Sequence, residues 1–371
     1  MLTFLRLLLI LCVSSIFIMG LIMIFNTTSA EILDHSLSKS THHALLKQIM
    51  YGGLGFLLGC CVWKLGYKRF IAWSPYLLLL FTILLALTLI PGIGKEVNGS
   101  RRWIGIGGFS FQPSEFVKYI VPTFLIYCFL PIDPSQLTLK GFLKLIGIVF
   151  IPILLILIEP NNGTAGVVSL MVVLACFLSR IKFKYWALPL VVMMTIGSIS
   201  AYHLPYVTAR LKVYLHPELD LQGKGHQPYQ AKIAAGSGQL LGRGPGNSLQ
   251  KLSYLPEAQN DYIAAIYAEE FGFLGVLGLI ILYMIVAYCG FYIAYHAGNR
   301  QGFFLATLTI FLISFQAFMN LGVVSGLLPS TGLNLPFFSQ GGTSLMANIF
   351  GLSLLLNISF DQNKESHASI I

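Results

Sequence analysis

Charge is scarce in this chain. Its 371 residues include only 23 Lys and Arg and 14 Asp and Glu, against 56% hydrophobic residues and a mean hydropathy of +0.77. A soluble domain cannot bury that much apolar surface. No soluble basic face interleaved with aromatics is present, which argues against nucleic-acid binding. A cysteine framework is missing too. The six cysteines (Cys12, Cys60, Cys61, Cys128, Cys176, Cys289) fall inside apolar runs with neither metal-ligand nor disulfide spacing, so they read as small packing residues. No internal repeat is evident, so the inverted-repeat signature of many secondary transporters is absent. The glycine run from Gly236 to Gly246 has the wrong spacing for a dinucleotide or P-loop fingerprint and follows no strand. It reads as a turn-rich loop whose backbone can approach a ligand closely.

Long apolar runs are what the chain does have. Stretches of roughly 17 or more residues are long enough to cross a bilayer as helices. They predict an all-α polytopic membrane protein with about ten spans: Leu7–Phe25, Gln48–Trp63, Phe70–Ile90, Glu115–Leu130, Phe142–Ile158, Thr164–Leu178, Ala187–His203, Phe273–Tyr295, Phe303–Leu328 and Ser344–Ile358. The second, fifth and sixth are short. Arg6 and the run after it, ending near Thr28-Ser29-Ala30, could pass for a signal peptide, but the run is long and reads as a retained first helix. The stripe Gly52, Gly53, Gly55 and Gly59 predicts close helix packing. Even-numbered short loops hold Lys64, Lys68, Arg69, Lys140, Lys144, Arg180, Lys182, Lys184 and Arg300. The positive-inside bias therefore puts those loops and both termini in the cytoplasm. A large loop, residues 205–272, then lies outside between helices seven and eight, and residues 361–371 form a short polar cytoplasmic tail expected to be disordered.

The large loop is a polar island, and it gathers the chemistry. Asp261 precedes a strong helix former, so it suits a helix N-cap or a general base equally well. Were the helix to begin a turn earlier, Glu257 and Asp261 would share one face. Glu269 and Glu270, just before the eighth span, read as interfacial carboxylates. Glu115 and Lys118 sit three apart in the fourth span and can pair, as a structural lock or as a contact to substrate. Arg101-Arg102-Trp103 is either an interfacial anchor or a guanidinium clamp for a diphosphate. The net charge of +9 fits cytoplasmic loops, but Arg210, Lys212, Lys224, Lys232, Arg243 and Lys251 lie on the outer island and need another account. The uncharged segment from Pro329 to Ser344, rich in hydroxyls, amides and glycine, could be re-entrant and line a polar cavity.

Taken in order, these segments resemble the SEDS family of bacterial shape, elongation, division and sporulation proteins. The resemblance runs from about Asn98 to Ser359. It rests on Asn98-Gly-Ser-Arg-Arg-Trp103, Phe111-Gln-Pro-Ser-Glu115-Phe-Val-Lys118, Glu159-Pro-Asn-Asn-Gly-Thr164, Gly246-Asn-Ser-Leu-Gln-Lys251, Tyr254-Leu-Pro-Glu-Ala-Gln-Asn-Asp261, Asn320-Leu-Gly322, Leu327-Leu-Pro-Ser-Thr-Gly332 and Ser339-Gln-Gly-Gly-Thr-Ser344. The stretch Gly246-Asn-Ser with Gln250-Lys-Leu looks more like the division and sporulation members than the elongation member. Three positions depart from the family: Gln259-Asn260 where His-Thr or Gln-Thr is usual, Ser253 where the division member often has an acid, and Asn161 in place of an aspartate.

The resemblance implies a ten-helix peptidoglycan glycosyltransferase that polymerises lipid II on the outer face of the cytoplasmic membrane, with a septal role in cell division. It implies a class B penicillin-binding transpeptidase and other divisome proteins as partners. It marks Asp261 as the catalytic acid residue and Glu115–Lys118 as the family's ion pair. Inverting transfer would have Asp261 take the proton of the acceptor hydroxyl. Arg102, Arg210, Lys232, Arg243 and Lys251 would face the diphosphate leaving group, with Glu115, Lys118 and Glu257 also near substrate. No cofactor is certain, although a diphosphate often brings Mg²⁺. A lipid II flippase, an elongation-type polymerase and a non-catalytic scaffold are the rival readings.

Overall fold

A computed structural model describes the chain except residues 36–40, 98–99, 107, 133–135, 188, 192–194, 196–213, 215–224, 253–254, 256–257 and 369–371. The described residues form a helical bundle: α1 Leu2–His35, α2 His43–Leu65, α3 Tyr67–Thr88, α4 Pro113–Phe129, α5 Leu139–Ile158, α6 Asn162–Leu178, α7 His226–Ser237, α8 Ile263–Tyr295, α9 Arg300–Val324 and α10 Gly342–Ala368. Seven of these are long and apolar enough to cross a membrane. Two more, α4 and α6, are 17 residues each. Nine of the ten expected spans thus have a helix. The expected seventh, Ala187–His203, lies largely outside the described residues.

Local sequence explains the helix ends. Pro113 at the first turn of α4 needs no donor there. Thr138, Asn161 and Asn299 accept from the backbone N–H groups of Gly141, Thr164 and Gly302, satisfying donors that a helix start leaves open. The glycine stripe of α2 packs on α10. A Cβ added at Gly55 would lie 2.9 Å from Ile349 Cδ1, and one at Gly59 would lie 2.4 Å from Ser353 Oγ. Only small residues permit that approach. Outward faces carry Leu7, Leu11, Phe56, Leu79 and Met284, all exposed, as lipid-facing surfaces require.

Three expectations change, and a fourth feature, a break inside α8, agrees with the expected start of the eighth span. The second and fifth spans are not short, since α2 has 23 residues and α5 has 20. The apolar runs stop short of the helix starts because Lys47 and Lys140 lie within the helices. A small antiparallel sheet joins α3 to α4: β1 Gly94–Val97, β2 Ser100–Ile106 and β3 Phe109–Phe111 in that order, with a bulge between Lys95 and Glu96. Its strands are too short for hydropathy to reveal. Thirdly, α10 continues to Ala368 in place of a disordered tail, and Asp361 pairs with Lys68 at 2.9 Å and accepts from Tyr67 at 2.8 Å. Finally, α8 is two helices in one. Gly272 takes φ +65° and ψ −167°, so the expected eighth span begins after this break and the turns before it belong to the polar island.

The bundle has two unlike ends. One carries the sheet, α7, Asp261 and the segment 329–341. The other carries Arg6, which donates to Ser359, together with the basic connections α2–α3, α4–α5 and α9's start at Arg300.

Candidate active site

Asp261 sits at the sheet-bearing end, one residue before the N-cap position of α8. Tyr262 occupies that position and makes no side-chain cap bond. The carboxylate is partly exposed and lies beside Gly332, where an added Cβ would be 3.8 Å from Asp261 Oδ2. Gly332 has φ +70°, a conformation that favours glycine. Asn320, buried on α9, fixes the backbone here. Its amide donates to the Asp261 carbonyl at 2.9 Å and to the Leu333 carbonyl at 2.8 Å. One side chain thus ties the candidate base to the 329–341 segment.

That segment is seated in protein, not in lipid. Leu333, Leu335, Phe337, Phe338 and Ser339 are buried. Gln340 N–H donates to the Gln259 carbonyl at 3.0 Å. Gln48 of α2 brackets Ser339 and Gly341, and Tyr283 of α8 donates to the Pro336 carbonyl at 2.6 Å. Irregular backbone at the edge of a bilayer demands such cover. Gly163, in the first turn of α6, meets the same segment so closely that a Cβ would fall 2.2 Å from the Thr331 carbonyl oxygen. The N-termini of α6, α8 and α10 therefore converge around Gly332 and Asp261, and each brings the positive end of a helix dipole.

Arg102 of β2 reaches the end of α5. Its Nε donates to the Glu159 carbonyl at 2.9 Å and its Nη2 to the Pro160 carbonyl at 2.7 Å. Burial pushes the Glu159 carboxyl up to about 8, opposed in part by the Thr88 hydroxyl, which donates to it at 2.5 Å, and by the Arg102 charge. Lys118 and Glu115 pair at 2.7 Å deep in the bundle, and Lys118 Nζ also donates to Gln316 of α9 at 3.2 Å. Lys232 of α7 lies along Gly326. Among the described residues its ammonium makes no hydrogen bond or ion pair. Arg243 is exposed and 3.6 Å from Glu269. Lys251 is buried against Glu270 and Asn26. Arg210 and Glu257 lie outside the described residues.

The expectation for Glu269 and Glu270 is corrected. Both are 1% exposed inside the protein rather than at a lipid interface, because they accept from the loop that folds over them. Asn26 and Asn320 are further polar residues whose parts hydropathy does not assign; the signal for Asn26 is an amide at the end of an apolar run, and Asn320 also belongs to the Asn320-Leu-Gly322 motif. An apolar cavity of about 630 Å³ lies between α7, α8 and α9, lined by Ala264, Ala268, Phe273, Tyr283, Phe318 and Leu321 among others. Among the described residues no three His, Cys, Asp or Glu side chains could hold a metal.

Comparison with known proteins decides the family. Residues 6–364 match the FtsW/RodA/SpoVE family model, described as cell cycle protein. The chain belongs to the FtsW/RodA/SpoVE family. Stage V sporulation protein E of Bacillus subtilis is 37% identical over 344 residues, covering 92% of this chain and 93% of that protein. A probable peptidoglycan glycosyltransferase FtsW of Legionella pneumophila is 36% identical, covering 95% of this chain and 90% of that one. Among solved structures, a chain from a peptidoglycan synthase complex that coordinates polymerization and crosslinking superposes with TM-score 0.76 at 25% identity, covering 95% of this chain and 97% of that one. The rod shape determining protein RodA of Thermus thermophilus superposes with TM-score 0.67 at 25% identity, covering 95% and 96%. An all-α polytopic SEDS fold is therefore established for this chain, with the small sheet as its one β element among the described residues.

Proposed function

We propose that this FtsW/RodA/SpoVE family member is an inverting peptidoglycan glycosyltransferase that polymerises lipid II on the outer face of the cytoplasmic membrane. The observation that carries the reading is the setting of Asp261: a partly exposed residue with its backbone pinned by Asn320, its carboxylate beside Gly332 and just ahead of the N-terminus of α8. Pinning the backbone limits the motion of a group that must meet an acceptor hydroxyl, and the convergent helix dipoles suit a diphosphate. The names of the relatives support the same chemistry.

In this mechanism Asp261 removes the proton from the C4 hydroxyl of the acceptor sugar as that oxygen attacks the donor's anomeric carbon. The bond to the isoprenoid diphosphate breaks, and the leaving group departs with its electron pair. Diphosphate is a good leaving group, so no acid needs to protonate it, but fixed positive charge must stabilise it. Lys232 is the cation best placed to serve, since its charge is not spent on a protein partner among the described residues. Arg102, Arg210 and Arg243 remain candidates. Glu115 and Lys118 act from beneath the site, and Glu257 flanks Asp261 in sequence. Among the described residues no cluster of His, Cys, Asp or Glu forms a cage for Mg²⁺. The basic connections at the opposite end favour a cytoplasmic placement of that end and of both termini. Similarity to division and sporulation relatives favours a septal role, with a class B penicillin-binding transpeptidase as partner and other divisome proteins nearby.

Purified protein in vesicles containing lipid II tests this reading. The expected result is glycan polymer made on the face that carries Asp261. Lipid II crossing the bilayer with no polymer formed would replace polymerase by flippase.

A further inference from the structure

Two buried carboxylates next to the site have no part in the chemistry above. Glu269 and Glu270 lie two turns beyond Asp261 on α8, each 1% exposed. Each gathers a different piece of the preceding loop. Glu269 accepts from the Ser248 hydroxyl at 2.5 Å and from the backbone N–H groups of Leu249 at 3.2 Å and Gln250 at 3.3 Å. Glu270 accepts from Lys251 Nζ at 3.0 Å and from Asn26 Nδ2 at 2.8 and 2.6 Å. Lys251 Nζ also donates to Asn26 Oδ1 at 2.7 Å and to the Gly246 carbonyl at 2.5 Å. An ammonium has three N–H donors. Glu270, Asn26 and Gly246 use all three.

The backbone continues the seam. Arg243 N–H donates to the Glu269 carbonyl at 2.9 Å and Gly244 N–H to the Glu270 carbonyl at 3.0 Å. Beyond the break at Gly272, Phe273 and Leu274 donate back to Gln239 and Leu240. Gly242 and Gly272 touch so closely that a Cβ on Gly272 would sit 2.3 Å from Gly242 N. The glycine run is thus shaped to lie against the interrupted helix. Lys251 and Asp261 are therefore held on the same helix, Lys251 by Glu270 and Asp261 by its place just ahead of the first turn of α8. Asn26 ties the Lys251 contact to α1.

We infer that Glu269, Glu270 and Lys251 are positioning residues: a buried clamp that holds residues 243–251 against α8 ahead of Asp261, so that Lys251 serves the fold of the active site and not the diphosphate. The inference rests on the reading of Asp261 as the base. It differs from a plain structural role in what it affects. A loosened clamp misplaces the base but leaves the candidate substrate-facing residues Arg102 on β2 and Lys232 on α7 in place. A displacement of about 1 Å costs on the order of 10²-fold in rate.

The test compares Glu270→Gln, Lys251→Met and the double variant in lipid II polymerisation, alongside hydrogen exchange of residues 243–252 and of the α9 core. Each single variant is expected to lower kcat on the order of 10²-fold, with KM changed by less than about threefold. The double variant is expected to be no worse than the poorer single, since both remove one interaction. Exchange across 243–252 is expected to rise while α9 stays protected. A raised KM with unchanged kcat for Lys251→Met, an unaffected Glu270→Gln, and multiplicative losses in the double variant would overturn the clamp and return Lys251 to the diphosphate. The exchange measurement is independent of the chemistry. If Asp261→Asn polymerises normally while 243–252 still loosens in the clamp variants, the base assignment has failed and the closure stands. Where Lys251→Met does not yield folded protein, Ser248→Ala removes a single hydroxyl from Glu269. The same rise in exchange and fall in kcat is expected, and native values for both would overturn the inference.

Discussion

Breaking the Glu115–Lys118 pair should cost more than removing it. Lys118 is 1% exposed, and its ammonium is held 2.7 Å from Glu115 and 3.2 Å from Gln316. Stranding one member of a buried pair costs about 3–5 kcal/mol, whereas replacing both by neutral groups of similar volume is often close to neutral. The two single variants should also differ. Glu115 lies in the first turn of α4, where the helix dipole favours a carboxylate, and is 8% exposed, so it tolerates the loss of its partner better. Lys118 has neither relief. Glu115→Gln should therefore fall near 5 kcal/mol and Lys118→Met near 3, with the double variant milder than either, all on the order-of-magnitude scale just given. Thermal unfolding of the four proteins in one detergent, each checked for reversibility, reads the ranking. A double variant as unstable as the worse single would refute the argument, because it would mean that the pair's neighbours and not its charges set the cost.

Three further outcomes follow from particular contacts. Gly272→Ala should be severely destabilising, since the residue sits at φ +65° and the new Cβ would press on Gly242 N; a melt within a degree or two of wild type would contradict the packing. Asn320→Asp keeps the shape but replaces the two donated hydrogen bonds with oxygen facing oxygen, so polymerisation should fall by at least about tenfold while Asn320→Ala falls less; equal rates in all three would remove Asn320 from the site. Glu159 is raised in the folded state from its ordinary 4.5 to about 8, so folding favours its protonated form. The stability it contributes is complete below about pH 4.5 and is lost as pH rises through about 8. Glu159→Gln should flatten that decline, and parallel pH–stability curves for the two proteins would count against it.

The spans were legible because a bilayer imposes length and apolarity together, and both appear directly in the sequence. The Glu115–Lys118 contact was legible because i,i+3 geometry follows once a helix is assumed. Other features were hidden for identifiable reasons. The sheet's strands are three to seven residues with a bulge, below what alternation can reveal. Glu269 and Glu270 adjoin an apolar run, so composition places them at its edge; only the fold of residues 239–251 over α8 buries them. The glycine run shows in the sequence, but not what it packs against, since Gly242 and Gly272 meet across 30 residues of chain. Lys251 and Lys232 look alike in sequence, and the difference between an ammonium satisfied by Glu270, Asn26 and Gly246 and one with no partner among the described residues is purely tertiary. Asp261 itself was ambiguous between cap and base by local pattern, and the cap position falls to Tyr262.

The most direct measurement is the rate of lipid II polymerisation by wild type and Asp261→Asn, each reconstituted with the proposed class B transpeptidase partner. A general base contributes about 10²–10⁴-fold. The account predicts a loss of that size or greater, with the melting temperature and lipid II binding unchanged. Polymer formed by Asp261→Asn at the wild-type rate would contradict it.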